Sequence, residues 1–270
     1  MTGASDGIGA AAARRLHRSG AQVVVVGRSA EKTAGVAGEL GVPWFVVDLA
    51  RLDDVRRLAG ELRERWPRID VLANNAGASF SGPVQLTADG VERTFQVDHL
   101  APYLLTRLLE EPLRAARGRV VTTSSFAHLA GGRRRGRLAD AAAPGTGPGL
   151  RAYCTAKWAN VLFTRELARR WAPDVTATCL DPGAVATSFG ARAGGVTGLV
   201  FRSPLIAFAR TPAQGADTLV WLATAEDGWR NGALHADRRR RCTAPSARDD
   251  VRARELWELS ARLVGLPDRS

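Results

Sequence analysis

Short β-branched runs alternate with longer amphipathic stretches along this sequence. Continuous apolar runs predict buried parallel strands, and the amphipathic stretches predict helices that cover both faces of the sheet. The predicted strands lie at residues 22–27, 44–47, 71–73, 119–123, 175–180 and 233–235. The predicted helices lie at residues 8–18, 30–40, 52–66, 88–113, 152–171, 213–223 and 251–264. This order predicts an α/β fold, a doubly wound parallel sheet of the Rossmann type in a three-layer sandwich.

The sequence contains no internal repeat and no linker, so we expect a single domain over residues 1–270. Gly and Pro interrupt residues 131–149 and 184–212, and long loops in compact domains are often lids or binding loops. We therefore expect both segments to lie on the substrate side of the domain.

Hydropathy and cysteine content bear on location. No apolar run reaches the roughly 18 residues that suggest a membrane span. The three cysteines, Cys154, Cys179 and Cys242, have neither metal-ligand spacing nor the even number of a disulfide framework. We expect no membrane span, no metal site and a reducing, cytoplasmic location.

The formal net charge of +11 raises the question of nucleic-acid binding. Lys32 and Lys157 are the only lysines among 38 basic residues, and an arginine excess with abundant Ala and Gly is typical of GC-rich coding. The arginine runs at 133–135 and 238–241 lie beside Gly and Pro, which predicts solvated loops. We expect no nucleic-acid partner. The alternative, an arginine-mediated binder, predicts DNA affinity that falls steeply with salt.

Two motifs together predict nicotinamide-dependent hydride transfer. The glycine turn at residues 2–9 opens the first predicted helix, where backbone N–H groups can hold a dinucleotide pyrophosphate. Far downstream, Tyr153 and Lys157 stand four residues apart on a predicted helix. A neighbouring cation favours the phenolate, whereas a free phenol with a pKa of about 10 is a poor base near neutral pH.

Informative residues also follow four successive predicted strands. They are Asp48-Leu49, Asn74-Asn75-Ala76-Gly77, Ser124-Ser125 and Asp181-Pro182-Gly183. Open α/β sheets bind their ligands at the carboxyl ends of the strands, so these residues predict one continuous site.

With these residues assembled, the chain resembles a short-chain dehydrogenase/reductase over nearly its full length. Four segments, 97–100, 125–128, 159–168 and 256–260, are similar to the retinol-dehydrogenase-like branch of that family. The resemblance implies a domain that binds a small-molecule alcohol or carbonyl substrate. It also implies pairing through the long helices, so a homo-oligomer is possible.

The resemblance implies three catalytic roles. Tyr153 would exchange a proton with the substrate oxygen, and Lys157 would hold the nicotinamide ribose and lower the pKa of Tyr153. Ser125 would orient the substrate oxygen, with Ser124 as the weaker candidate. The alternatives are an ordinary half-buried helix tyrosine and a plain turn at the strand end.

The resemblance also implies a set of cofactor-binding positions. They are Gly3, Ser5, Asp6, Gly7, Ile8, Gly9, Arg28, Asp48, Leu49, Asn75, Ala76, Gly77, Tyr153, Lys157, Pro182, Gly183 and Thr187. Asp48 and Thr187 could equally be helix caps. Arg28 favours NADP, because it follows the second strand of the family order, where a guanidinium can pair with a 2′-phosphate. Asp6 places a negative charge nearby, so NAD remains the alternative cofactor.

Two departures from the family pattern affect the expected activity. Asp98 replaces an asparagine whose backbone carbonyl holds a water that contacts the lysine. The added carboxylate is expected to compete for the charge of Lys157 and to raise the pKa of Tyr153. Only Met1 precedes Thr2, where the family has a buried strand in the middle of the sheet. We expect a gene start placed too late, or a compromised protein.

The sequence therefore favours an NADP(H)-dependent oxidoreductase that interconverts an alcohol and a carbonyl on a hydrophobic small molecule. The alternative is a dinucleotide-binding protein without turnover, either a sensor or a truncated enzyme. Binding of NADPH without reduction of any carbonyl would favour that alternative.

Overall fold

The computed structural model describes residues 1–80, 83–132, 149–185 and 209–268. Seven strands lie within these ranges: β1 Val25–Gly27, β2 Trp44–Val46, β3 Val71–Asn74, β4 Arg119–Thr123, β5 Thr176–Leu180, β6 Leu234–Ala236 and β7 Arg239–Arg240. The helices are α1 Gly7–Arg18, α2 Ala30–Leu40, α3 Leu52–Arg65, α4 at residues 93–108, α5 Glu110–Ala116, α6 Gly149–Trp171, α7 Pro212–Gly215, α8 Asp217–Thr224 and α9 Asp250–Leu263. The α/β fold predicted from the sequence is confirmed.

The strands form a mostly parallel sheet in the order expected for a doubly wound fold. β1 pairs with β2, and β3, β4, β5 and β6 pair in sequence, with β7 antiparallel at the edge. Met1 and Thr2 lie between β1 and β3, where the family strand was expected. Thr2 forms a parallel bridge with Val26, and its amide donates to Ala73 O at 3.0 Å. These two residues therefore connect the β1–β2 pair to the rest of the sheet.

Helices cover both faces of the sheet and create two apolar cores. One core joins α1 and α8 to the sheet, and the other joins α3, α4, α6 and α9. The helix α6 is buried along most of its length, because α9 packs on its outer side. Trp257 of α9 stacks on Phe163 with ring centroids 6.1 Å apart and meets Tyr103 edge-on at 5.1 Å.

The predicted helix 88–113 was wrong at both ends. Gly90 adopts a φ of 77°, and Glu92 caps the helix by accepting hydrogen bonds from the amides of Thr94 and Phe95. The helix therefore begins at residue 93. It breaks after Leu108, because Pro112 has no N–H to donate back along the helix.

Two smaller predictions also differed from the structure. The first predicted strand, 22–27, pairs as a strand only over Val25–Gly27. Within the arginine run at 238–241, Arg239–Arg240 forms the exposed edge strand β7 rather than a loop. Among the described residues, no helix combines the length and apolar character required to cross a bilayer.

Candidate active site

The glycine turn brings the start of α1 against the ends of β1 and β3. Gly3 has a φ of 63°, a left-handed conformation that favours glycine. A Cβ on Gly9 would lie 2.0 Å from Gly3 O, so no side chain fits at that position. Asp6 caps α1 by accepting a hydrogen bond from the Gly7 amide at 2.8 Å. This close-packed turn suits the approach of a pyrophosphate to the first-turn amides.

Thr2 and Asn75 lock the glycine turn to the end of β3. Asn75 Nδ2 donates to the carbonyl oxygens of Thr2 and Gly3, each at 3.3 Å. Thr2 Oγ1 accepts from the amides of Asn75 and Ala76, each at 3.1 Å. Asn75 Oδ1 also accepts a hydrogen bond from Thr123 Oγ1 of β4 at 3.4 Å. The structure thus brings the predicted glycine turn and Asn75 together, and Thr123, which was not a predicted site residue, contacts Asn75 as well.

Tyr153 and Lys157 lie one turn apart on α6. Lys157 Nζ is 5.3 Å from the centre of the Tyr153 ring. A hydrogen bond links the Tyr153 hydroxyl with Ser125 at the end of β4. Ser124 is engaged elsewhere, because its hydroxyl donates to the Lys157 carbonyl oxygen at 2.8 Å. Of the two serines, Ser125 is therefore the one beside the phenol.

Asp98 contacts Lys157 directly. Its Oδ2 lies 2.9 Å from Lys157 Nζ, and the two side chains are 0% and 3% exposed. The Ala78 amide donates to Asp98 Oδ1 at 2.7 Å. Asp98 lies in the π-helical segment Gln96–Leu100 of α4, and such bulges are frequent at functional sites. A Cβ on Gly77 would lie 3.1 Å from Lys157 Nζ, so Gly77 leaves room for this ion pair.

The charges of this cluster determine the pKa values of its members. Burial lowers the pKa of Lys157, but Asp98 and Tyr153 raise it more, so the pKa lies above its usual value. Burial raises the pKa of Asp98 more than Lys157 and the Ala78 amide lower it, so this pKa also lies above its usual value. Asp98 therefore holds Lys157 as an ammonium ion.

The pKa of Tyr153 differs from the simple expectation. Burial raises it, Lys157 and the hydrogen bond with Ser125 lower it, and Asp98 raises it further. The net shift is upward. The expected effect of Lys157 is present, but burial and the Asp98 carboxylate outweigh it. The expected effect of Asp98 on Tyr153 has the predicted direction.

Charged residues flank the glycine turn at the end of β1. Arg28 is exposed immediately after this strand. Lys32, in the first turn of α2, pairs with Asp6, with Nζ and Oδ2 at 2.7 Å. The negative charge of Asp6 is therefore compensated within the protein. Lys32 was not among the predicted cofactor-binding positions, although its place in the first turn of the helix after Arg28 was a usable signal.

The remaining predicted cofactor-binding positions differ in burial and in hydrogen bonding. Asp48 Oδ1 accepts from the Ala50 amide at 3.0 Å in the turn before α3, and Leu49 is buried. Pro182 is buried after β5, and the Gly183 amide donates to Asp181 Oδ1 at 3.0 Å. Ser5 and Ile8 are half-buried in the glycine turn. Thr187 lies outside the described residues, as do most of the segments 131–149 and 184–212.

Known proteins resemble this chain over nearly its whole length. A family model described as Enoyl-(Acyl carrier protein) reductase matches residues 3–237. The chain is 43% identical to the Streptomyces sp. (strain C5) protein named "Putative daunorubicin C-13 ketoreductase DnrU", covering 98% of this chain and 91% of that protein. It is 36% identical to human retinol dehydrogenase 13, covering 98% of this chain and 84% of the relative.

Solved structures agree with the sequence relatives. A protein of uncharacterised function from Mycobacterium paratuberculosis aligns with a TM-score of 0.78 and 30% identity, over 100% of this chain and 93% of that one. A short chain dehydrogenase from Escherichia coli CFT073, complexed with NADPH, aligns with a TM-score of 0.67 and 27% identity, over 86% and 92% of the two chains. The chain therefore belongs to the short-chain dehydrogenase/reductase family, a class of NAD(P)-dependent oxidoreductases. Within the family it falls in the retinol-dehydrogenase-like branch.

Proposed function

We propose that this protein is an NADP(H)-dependent reductase that interconverts a carbonyl and an alcohol on a hydrophobic small molecule. The observation that carries the proposal is the cluster of Ser125, Tyr153, Lys157 and Asp98 beside the glycine turn. The cofactor supplies or accepts a hydride when bound. The glycine turn, Asn75 and Lys157 would hold it, with its pyrophosphate at the first-turn amides of α1.

The protein's own groups would manage the substrate oxygen. In reduction, Ser125 donates a hydrogen bond that orients the carbonyl, and Tyr153 delivers its phenolic proton to the oxygen. The raised pKa of Tyr153 keeps the phenol neutral near pH 7, and the neutral phenol is the proton-donating form. Lys157, held as an ammonium by Asp98, supplies the positive charge beside the phenolate that forms.

Two basic residues support NADP as the preferred cofactor. Arg28 is exposed after β1, and Lys32 neutralises Asp6, the one acid of the glycine turn. A guanidinium at this position can pair with the 2′-phosphate that distinguishes NADP from NAD. The NADPH complex of the E. coli relative supports the same choice.

Apolar side chains beside the site support a hydrophobic substrate. Phe126 directly follows Ser125 and is 63% exposed, and Leu129 is 48% exposed in the same 3-10 turn. Leu150, three residues before Tyr153, is 54% exposed. The names of two relatives refer to a daunorubicin ketone and to retinol, and retinol is a largely hydrocarbon alcohol. We propose that the chain forms a single domain.

The cysteines bear on the proposed location, and the arginine run bears on nucleic-acid binding. Cys154, Cys179 and Cys242 carry free thiols, which suits a reducing, cytoplasmic location. Arg238 and Arg241 are engaged with Asp217 and Asp237, so part of the arginine run serves internal ion pairs rather than a nucleic acid. The run at 133–135 lies outside the described residues.

The proposed function is tested by following NADPH oxidation with daunorubicin and all-trans-retinal as probes. We expect turnover of at least one probe by the unaltered protein and its loss in Tyr153→Phe, with NADPH binding retained. Binding of NADPH without turnover of either probe or of a wider ketone and aldehyde panel would instead support a dinucleotide-binding protein. Failure to bind either NADPH or NADH would contradict both assignments.

A further inference from the structure

Three buried polar side chains connect the last helix to the active-site region. Ser260 of α9 and His99 of α4 are each 0% exposed, and Asn160 of α6 is 1% exposed. Aromatic rings surround His99, with Phe95 at 5.0 Å, Phe163 at 6.1 Å and Tyr103 at 6.4 Å between ring centroids. Burying polar groups among rings is costly unless each finds a hydrogen-bond partner.

The hydrogen bonds of Asn160 determine the orientation of its amide. Asn160 Nδ2 lies 2.9 Å from Asp98 O and 3.3 Å from Thr123 O. Both partners are carbonyl oxygens, which only accept, so the amide nitrogen must face them. Asn160 Oδ1 therefore faces His99 Nδ1, at 3.2 Å.

The same reasoning assigns the proton of His99. An amide oxygen only accepts, so Nδ1 of His99 must carry the hydrogen. Burial lowers the pKa of His99 to about 4, so the ring is neutral near pH 7 and has one N–H. His99 Nε2 is then an acceptor, and it receives the hydroxyl proton of Ser260 at 3.0 Å. We call these three residues the buried network; each bond in it has a defined direction.

We propose that the buried network positions the Asp98–Lys157 pair, so that α9 supports the active site through hydrogen bonds. This inference rests on the proposed function of that pair. Asn160 lies one turn after Lys157 on α6 and holds the backbone of Asp98 itself. Its second acceptor, Thr123 O, also receives a hydrogen bond from Lys157 Nζ at 3.4 Å. The Asn160 amide thus contacts both the backbone of Asp98 and the Thr123 carbonyl that accepts from Lys157. His99, Asn160 and Ser260 are positioning residues, because they act through Asp98 and Lys157.

Two substitutions of His99 distinguish a role in hydrogen bonding from a role in packing. A phenyl ring at position 99 retains the contacts with Phe95, Phe163 and Tyr103 but donates and accepts nothing. An asparagine at position 99 loses ring contacts but can still donate to Asn160. If the hydrogen bond to Asn160 matters, His99→Asn should perform better than His99→Phe, although it packs worse.

The kinetic test compares His99→Phe, His99→Asn and the control Leu256→Ala in the full-length protein. Leu256 is a buried packing residue of α9 outside the buried network. We expect His99→Phe to lower kcat about tenfold or more, because small displacements of catalytic groups have effects of this order. The NADPH dissociation constant should rise as well, since Lys157 is proposed to hold the cofactor. His99→Asn should recover most of both losses, and Leu256→Ala should lower Tm while leaving kcat and NADPH affinity unchanged well below Tm.

A spectroscopic test requires neither turnover nor cofactor binding. The protein has four histidines, so ¹⁵N NMR of labelled protein can assign the tautomer of His99, using His99→Phe to identify its signals. We expect the Nδ1–H tautomer, and Ser260→Ala should change the Nε2 shift. The inference would be overturned by a proton on Nε2 of His99. It would also be overturned if His99→Phe left kcat and NADPH affinity unchanged, or if Leu256→Ala caused the same losses as His99→Phe. If no probe is turned over, the tautomer and the NADPH affinity still decide it, so its failure is separable from failure of the proposed function.

Discussion

The Asp98 carboxylate and the Lys157 ammonium form an ion pair with 2.9 Å between Oδ2 and Nζ, and both side chains are almost fully buried. The carboxylate of Asp98 contacts Lys157 as a charged group. An asparagine side chain at this position would be neutral and would not compensate the charge of the lysine. Burial is the main cause of the raised pKa of Tyr153, and Asp98 adds to it by partly compensating the charge of Lys157. The pair thus couples one residue on α4 to the acid–base chemistry of α6.

The substitution Asp98→Asn should move the pH dependence of reduction. Reduction needs the neutral phenol, so the rate is full below the pKa of Tyr153 and falls as the pH rises through it. Asp98 raises that pKa, and its removal should therefore shift the alkaline fall to lower pH while holding or raising kcat near pH 7. Asp53→Asn, at an exposed carboxylate of α3, is the control and should leave the profile unchanged. An unshifted alkaline limb in Asp98→Asn would contradict the coupling.

Cofactor preference should depend on Arg28. We expect the unaltered protein to bind NADPH at least about tenfold more tightly than NADH, a difference of about 1.4 kcal/mol. Arg28→Ala should remove most of this preference and leave NADH affinity nearly intact. Arg254→Ala, at an exposed arginine of α9, should change neither affinity. Fluorescence titration with both nucleotides measures the effect, and equal affinities in the unaltered protein would rule out the role of Arg28.

Lys32 should contribute to the same preference by compensating Asp6. In Lys32→Ala the Asp6 carboxylate loses its partner at 2.7 Å and would repel a 2′-phosphate. NADPH affinity should fall more than NADH affinity. The double variant Asp6→Asn with Lys32→Ala should restore part of the loss, which titration of both nucleotides can detect. Equal loss for the two nucleotides would indicate a general disturbance of the turn.

Removal of the phenolic hydroxyl should abolish most turnover. Tyr153→Phe is expected to lower the rate by about 10²-fold or more, the usual effect of a positioned acid–base group. The chain offers a matched control, because Tyr103 is its only other tyrosine and is buried away from Ser125 and Lys157. Tyr103→Phe should reduce stability, since the hydroxyl accepts from Arg107 at 2.6 Å, but should retain kcat. Retention of most activity in Tyr153→Phe would refute the assignment.

Acid should remove the stabilising effect of Asp217. The hydrogen bond from Arg238, with a further bond from Arg15, lowers the pKa of Asp217 to about 2. A lowered pKa in the folded state stabilises above the unfolded-state value and is lost as the pH falls towards the folded value. Asp217→Asn should therefore be less stable than the unaltered protein at pH 7. The difference should shrink between about pH 4 and pH 2, measured by urea denaturation.

The sequence predicted the sheet, the long helix α6 and the residues at the strand ends, because each rests on local periodicity or on a motif with defined spacing. It could not predict the contact of Lys32 with Asp6 or the network from Ser260 to Asn160. Those bonds join residues far apart in sequence; His99 and Ser260, for example, are 161 positions apart. His99 and Asn160 also interrupt apolar faces, so periodicity alone assigns them no role. The early end of α4 depends on Pro112, and its late start depends on the left-handed Gly90.

The burial of α6 has a consequence for how this protein can change. Residues 156–164 of the helix are buried without interruption, so nearly every substitution there disturbs the core and the hydrogen bonds of Lys157 or Asn160 at once. New substrate preferences should therefore arise at positions that tolerate variation. Phe126, Leu129 and Leu150 are exposed beside the site and meet that condition. A mutagenesis library aimed at altered selectivity should diversify these three positions and keep the middle of α6 unchanged, and we expect a much larger folded fraction than from a library of equal size within that helix.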